Sequence, residues 1–292
     1  MKNILITGAG GLLGGELIKE LLHTPHNVYA LTSNKEKLEK EFGDKVIVYQ
    51  NEDLFAGNMP IEGITLIVHC AFSRSQDGQD IANSLKFTRD VFFSAAINNC
   101  DIINISSRSI YDQNPNTPWT ESTAIRPDTL YAMAKLTSEL LAETTSNNKI
   151  NFTNIRLAGL LAPSFDSRIV NKFIDNAIQK RYIKITGGKQ QFAFLDIRDA
   201  VAGIIALIHS QSKNWAPIYN LGYLKSYSIT EIAETVKKVA AEYNIDVTIV
   251  IESSDAMLHA ELDSSLFYKD TNWTPKYDME AIVKSIFKYK IK

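Results

Sequence analysis

Residues 4–16 read ILITGAGGLLGGE, an apolar run that breaks into five glycines within eight positions. A loop that only turns a corner needs one or two glycines, valued for positive φ and for close backbone approach. Here Gly8-x-x-Gly11-x-x-Gly14 lies between a strand-like run, NILIT (3–7), and an amphipathic run, GLLGGELIKELLH (11–23). In a strand–loop–helix context Gly8 allows the tight turn, Gly11 lets a pyrophosphate approach the backbone, and Gly14 lets the helix pack on the sheet. The free amides at the helix start, around Leu12 and Leu13, offer an anion site. A G-x4-GK[ST] phosphate loop is excluded, because Gly10 and Gly15 are followed by Glu16 and not by lysine.

Working outward, the first half alternates short apolar runs with helical patterns. NVYALT (27–32), VIVYQ (46–50), ITLIVHC (64–70) and DIINISS (101–107) read as strands. Helices are expected through NKEKLEKEFG, over about 79–99, and from Leu130 to Thr145. The runs ILI, LIV and II are apolar without alternation, as in parallel strands covered on both faces. The fold class is therefore α/β, a Rossmann-type doubly wound parallel sheet built from right-handed crossovers. After NFTNIRLAGLLAP (151–163) the texture changes to helices at about 167–180 and 229–243, short strands, and the polar stretch KITGGKQQ (184–191). The helix DAVAGIIALIHS (199–210) is apolar enough to return to the first core. Two units are expected: a nucleotide-binding unit over 1–161 plus 194–221, and a smaller α/β substrate unit over 162–193 plus 222–292.

The 292 residues are 45% apolar and 22% charged, with a formal net charge of −2. That is an ordinary globular balance, with no basic excess for nucleic acid or an anionic membrane. No apolar run approaches the roughly 18–20 residues of a membrane span, and the N-terminus enters a strand without a charged leader. A cytoplasmic protein is the expectation. Cys70 and Cys100 each close an apolar segment and read as buried free thiols. The histidines do not cluster at ligand spacing, and no metal site is expected.

The end of the second strand bears on the choice of dinucleotide. An NAD site usually places an acid about 20 residues on, bonded to the ribose hydroxyls. Eighteen residues past Gly14 the chain reads LTSNKEK, with Thr32, Ser33, Asn34 and Lys35 and no acid. Those residues favour NADP over NAD, since they supply hydroxyls, an amide and a cation for a 2′-phosphate. Ser33 also fits as a helix cap, with Glu36 completing an S-x-x-E box. Asp53 in NEDL (51–54), followed by Leu54, is placed to accept from an adenine amino group, or is a turn aspartate.

Candidate chemistry is concentrated between residues 105 and 135. ISSRSIYD ends a strand with hydroxyls, and 24 residues past Ser107 comes LYAMAKLTSELL, with Tyr131 and Lys135 at i, i+4 on one helix face. A phenol with a pKa near 10 is a poor base at neutral pH. A neighbouring ammonium moves it towards the working range, as general acid–base catalysis requires. A serine at the end of the neighbouring strand would share the substrate oxygen.

With these segments in view, the chain resembles the extended short-chain dehydrogenase/reductase superfamily, in its NAD-dependent epimerase/dehydratase branch. The likeness runs through TGAGGLLG, NEDL, IVHCAFS, SSRSIYD, TESTAIRPDTLYAMAK, IRLAGLLAP, FLDIRDAVAGI, YNLGYLKSYSITEIAE and WTPKYDMEAI. It implies Tyr131 as the acid/base, Lys135 as its electrostatic partner and ribose clamp, and Ser107 as the oxygen-positioning hydroxyl, with Ser106 and Ser109 as rivals. It also implies His69, Cys70 and Ala71 along the cofactor wall, and Leu157, Gly159 and Leu160 beside the nicotinamide. Ser73 and Ser109 are candidate substrate contacts. Where the family's 4,6-dehydratases carry Asp-Glu after the catalytic hydroxyl residue, this chain has Arg108 and Ser109, which argues against that dehydration. Where many nucleotide-sugar members carry a diphosphate-binding Arg-Asp, it has Phe192 and Ala193. Arg168 or Lys172 are candidates to replace that contact, although an exposed helix face explains both equally well. The expected activity is hydride transfer at a secondary alcohol or ketone of a sugar or nucleotide-sugar-like substrate. The alternative is a catalytically silent NAD(P) sensor. A homodimer through a four-helix contact of the 79–99 and 130–145 helices is a further expectation, with Phe87, Val91, Phe92 and Ile97 on the first of them.

Overall fold

The computed structural model describes every residue except 60, 114–117, 166–167, 255–257 and 292. The first half is a strand–helix alternation. β1 (Asn3–Thr7), α1 (Leu12–Leu21), β2 (Asn27–Thr32), α2 (Lys35–Phe42), β3 (Ile47–Gln50) and α3 (Asn51–Ala56) come first. β4 (Leu66–His69), α4 (Gly78–Ile97), β5 (Asp101–Ser107), α5 (Leu130–Ser146) and β6 (Phe152–Leu157) follow. The remainder runs β7 (Gly159–Leu161), α6 (Ile169–Lys180), β8 (Tyr182–Thr186), β9 (Gln191–Phe192), β10 (Phe194–Asp196) and α7 (Ile197–His209). It ends with β11 (Ile218–Leu221), β12 (Tyr227–Ser228), α8 (Ile229–Glu242), β13 (Thr248–Glu252), β14 (His259–Ala260), α9 (Ser265–Thr271) and α10 (Met279–Lys290).

Seven strands form one sheet in the order β11-β6-β5-β4-β1-β2-β3, and every neighbouring pair is parallel. This is the doubly wound α/β sheet that the unalternated apolar strands imply, and β4 (LIVH) is buried at all four positions. On one face Leu17 and Ile18 of α1 and Ile204, Leu207 and Ile208 of α7 join a single core cluster. On the other, Val91, Phe92 and Ala95 of α4 and Ala142 of α5 cover Leu5, Ile67 and Ile102. The chain winds outward from β1 through β2 to β3, then returns to place β4 on the other side of β1. The crevice at the C-terminal ends of β1 and β4 is thus the topological switch point, where such sheets bind ligands.

A separate apolar cluster is built from α6, β8, α8 and α10, including Val170, Ile174, Ile183, Val236 and Ile286, together with Leu161 and Phe194. Ala260, Leu262 and Phe267, late in the chain, pack instead into the cluster beneath the large sheet. Helix α6 starts at Ile169; its expected first residue, 167, lies outside the described residues. Cys100 is buried and Cys70 half-buried, and both are free thiols. Among the described residues no helix is long and apolar enough to cross a membrane.

Candidate active site

The glycine loop is shaped by contacts that a side chain would destroy. Gly8 sits at φ +64°, and a Cβ there would lie 2.7 Å from the backbone nitrogen of Ala71, just beyond β4. A Cβ on Gly14 would strike the carbonyl oxygen of Gly8, so this glycine lets the helix close onto its own loop. Gly11 is the N-cap of α1 and brings no capping side chain. The amides of the first helical turn, Leu12 to Gly14, therefore point unpartnered into the crevice. A cradle that only glycine keeps open, rimmed by free N–H groups and the positive end of a helix, fits a pyrophosphate.

The neighbouring elements are tied to this loop. The Thr7 hydroxyl meets Nδ1 of His69 at 2.8 Å and accepts from the Ala71 amide at 3.3 Å. His69 uses its other nitrogen on Thr88 Oγ1 at 3.0 Å and is 1% exposed. Its ring thus belongs to the core and does not reach the cofactor wall, against expectation. Burial, with Lys135 adding to it, pulls its pKa down to about 3 and keeps it neutral. Cys70 lines the crevice, while Ala71 faces a shallower neighbouring cleft. Ser73 lines that shallower cleft with Asn51 and Glu52, and its hydroxyl accepts from the Ser75 amide at 3.1 Å.

At the end of β2, Asn34 and not Ser33 caps α2, its Oδ1 accepting from the Lys37 amide at 3.1 Å. The helix starts one residue later than an S-x-x-E box requires, which leaves Ser33 exposed. Thr32 is buried, its hydroxyl accepting from the Asn34 amide. Lys35 lies 3.6 Å from Glu39. Asp53 is the helical partner in a capping box, its Oδ2 accepting from the Gln50 amide at 2.8 Å, and Leu54 packs on the α4 side of the sheet.

Tyr131 and Lys135 sit at the start of α5, which Thr129 caps by accepting from the Ala132 amide. Ser107 ends β5 and caps the short turn Arg108–Ile110, with the Ser109 hydroxyl donating to it at 2.9 Å. Tyr131, Lys135, Ser107 and Ser109 border one cleft of about 540 Å³ with Gly8, Gly11 to Gly14 and Leu157 to Leu160. Burial pushes the Tyr131 phenol up, while Arg74, the Ser107 hydroxyl and Arg168 act to lower it. Lys135, one helical turn on from Tyr131, borders the same cleft, and both lie against the Phe72 ring. Its Nζ donates to the Ile105 carbonyl at 2.6 Å and lies 4.2 Å from the Phe72 ring centroid. Burial pulls this ammonium down to about 7, with Cys70 and Glu139 opposing and Arg74 assisting.

The rivals of Ser107 separate clearly. Ser106, one residue back, also borders the cleft but is buried, its hydroxyl committed to Glu139 Oε1 at 2.5 Å. Ser109 stays at the cleft. Arg168 lines the cleft too, whereas Lys172 is exposed on the outer face of α6, away from it. Sequence reasoning missed Arg74 and Phe165 and treated Arg108 only as a departure, yet all three border the cleft. It also missed the buried pair Arg156–Glu139, 2.8 Å apart. From there a chain of bonds runs from Arg156 Nη1 to the Tyr111 hydroxyl (3.0 Å) and on to Asn220 Oδ1 (2.8 Å). The signal for Glu139 was present: it lies four residues past Lys135, on the Tyr131–Lys135 face.

The model of the NAD dependent epimerase/dehydratase family matches residues 4–222. The chain belongs to that family. Among its relatives, the UDP-glucose 4-epimerase of Lactobacillus helveticus is 24% identical, over 98% of this chain and 96% of its own. UDP-glucuronic acid decarboxylase 1 of Xenopus tropicalis is 23% identical, over 99% of this chain and 72% of its own. Among solved structures, a UDP-N-acetylglucosamine 4-epimerase from Bacillus cereus superposes with a TM-score of 0.83 at 20% identity, covering 100% of this chain and 97% of that one. A dTDP-glucose 4,6-dehydratase from Bacillus anthracis, in complex with NAD, gives 0.82 at 15% identity over 99% and 96%. For this member of the epimerase/dehydratase family, the likeness to solved structures establishes the fold, and its own residues must supply the chemistry.

Proposed function

We propose that this family member moves hydride between a nicotinamide dinucleotide and a secondary alcohol or ketone of a sugar or nucleotide-sugar-like substrate. The observation that carries the reading is that Ser107 and Tyr131 share one cleft with the unpartnered amides of α1. A bound nicotinamide would supply the acceptor and donor of hydride for the carbinol carbon. The residues of the chain do the rest. Gly8, Gly11 and Gly14 admit the pyrophosphate, and Leu157, Gly159 and Leu160 wall the ring's side of the cleft. Ser107 holds the substrate oxygen, and Tyr131 removes or restores its proton. Arg74 and Arg168 favour the phenolate that this step requires. Lys135, anchored on β5 through Ile105, is the candidate contact for ribose hydroxyls.

Finer assignments follow on the same footing. NADP is preferred over NAD, because no acid stands at residues 32–35 and Lys35 is held only by an exposed pair with Glu39. A 4,6-dehydration is disfavoured, since Arg108 and Ser109 supply neither acid nor base beyond Ser107. The nucleotide-binding unit spans 1–161 plus 194–221 and the substrate unit 162–193 plus 222–292. The chain pairs with a second copy through α4 and α5, whose outer faces leave Phe93 60%, Ile97 64%, Met133 51% and Leu140 51% exposed.

The test is absorbance at 340 nm with NADH or NADPH and a panel of sugar ketones and nucleotide sugars, for wild type and Tyr131→Phe. Removing the acid/base hydroxyl is expected to cut turnover at least about 100-fold, with dinucleotide affinity unchanged. Turnover that survives the substitution would exclude the tyrosine. Binding of dinucleotide by wild type without any consumption across the panel would favour a sensor.

A further inference from the structure

Three arginines border the cleft that holds Tyr131: Arg74 from the segment after β4, Arg108 beside Ser107, and Arg168 at the start of α6. Of the other five arginines, Arg89, Arg126, Arg156 and Arg198 each lie within ion-pair distance of a carboxylate, and Arg181 is exposed to solvent at the end of α6. Arg74, Arg108 and Arg168 have no such partner among the described residues. Their guanidinium groups are instead set against aromatic rings. Arg74 and Arg168 lie 4.9 and 5.3 Å from the centroid of Phe165, and Arg108 lies 5.5 Å from that of Trp119. The Nε of Arg168 is buried without a hydrogen-bond partner.

This arrangement costs the ligand-free protein free energy. Burial, then Arg74 and Arg108, push the Arg168 pKa down to about 10, and burial alone takes Arg108 down to about 10. Both remain charged at neutral pH. Like charges gathered in a partly desolvated cleft repel, and an anion between them would reverse the sign of that interaction. Guanidinium forks match the oxygens of carboxylates and phosphates, and stacking on rings holds them oriented before a ligand arrives.

We propose that Arg74, Arg108 and Arg168 form a subsite for a carboxylate carried by the sugar of the substrate, held within about one sugar ring of the carbon served by Tyr131. The distance follows from chain position, because Arg108 is the residue next to Ser107. This inference rests on the proposed hydride-transfer site and specifies what its substrate must carry.

The experiment titrates wild type and Arg108→Gln/Arg168→Gln calorimetrically with UDP-glucuronate, UDP-glucose, glucuronate and methyl glucoside. NADH and NADPH titrations run in parallel. Unchanged dinucleotide affinity certifies that the double variant is folded, and Arg168→Lys serves as a milder second variant. Failure of wild type to bind either dinucleotide would instead refute the proposed function, irrespective of the anions.

If the anion is a sugar carboxylate, wild type binds UDP-glucuronate over UDP-glucose, and glucuronate over methyl glucoside, by about 10-fold or more, and the double variant erases both differences. The proposal is overturned if the two UDP-sugars bind equally and both lose affinity alike in the variant, which would assign the arginines to the diphosphate. The subsite is overturned if the variant leaves all four affinities unchanged. It is equally overturned if wild type binds no anionic ligand better than methyl glucoside.

Discussion

Lys135 offers a prediction that separates the cost of a functional charge from its use. Its ammonium is buried, and burial pulls its pKa down to about 7 from 10.5. Between those values the unfolded chain binds more protons than the folded one, so stability rises with pH across that window. The full penalty acts below about pH 7, and the shift of about 3.5 units corresponds to about 5 kcal/mol there. Raising the pH from 6 to 9 relieves about 3 kcal/mol of it. Lys135→Met keeps the length of the side chain and removes the charge. It also deletes the bond to the Ile105 carbonyl, a loss of about 1–3 kcal/mol that is not tied to this titration. The diagnostic quantity is therefore the change with pH of the gap between the two proteins. Urea unfolding of ligand-free wild type and variant at pH 6, 7.5 and 9, followed by tryptophan fluorescence, measures it. The gap should shift towards wild type by about 3 kcal/mol from pH 6 to pH 9. A gap constant to within about 0.5 kcal/mol would refute the claim that this ammonium is buried at a cost.

The two adjacent serines should behave oppositely. Ser107→Ala should lower kcat by about 100-fold with little effect on stability, whereas Ser106→Ala should keep kcat and lose about 1–2 kcal/mol in urea unfolding, because Glu139 loses a donor. Glu139→Ala leaves Arg156 charged and buried, and should destabilise the fold by about 3–5 kcal/mol by the same assay. Phe93→Glu with Ile97→Glu should convert a dimer to a monomer in light scattering; a variant that stays dimeric would exclude the α4–α5 surface.

The sequence by itself determined the elements whose causes are local. Gly8 and Gly14 mark the loop, because a Cβ on the first would strike the Ala71 backbone and a Cβ on the second the Gly8 carbonyl. Unalternated apolar strands give a parallel sheet, because both of its faces are covered, and the i, i+4 spacing puts Tyr131 and Lys135 on one face of one helix. Tertiary structure decided which way each side chain points and what surrounds it. His69 lies next to Cys70, yet its ring turns into the core, because Thr7 and Thr88 satisfy both of its nitrogens there. Ser106 and Ser107 differ by one position, yet the buried carboxylate of Glu139 takes the hydroxyl of the first and leaves the second in the cleft with Tyr131. Arg74, Arg108 and Arg168 are scattered along the chain, and only the crossovers that bring the end of β5, the loop after β4 and the start of α6 to one cleft make them neighbours. Their charge on one another acts through space, over distances that folding alone sets.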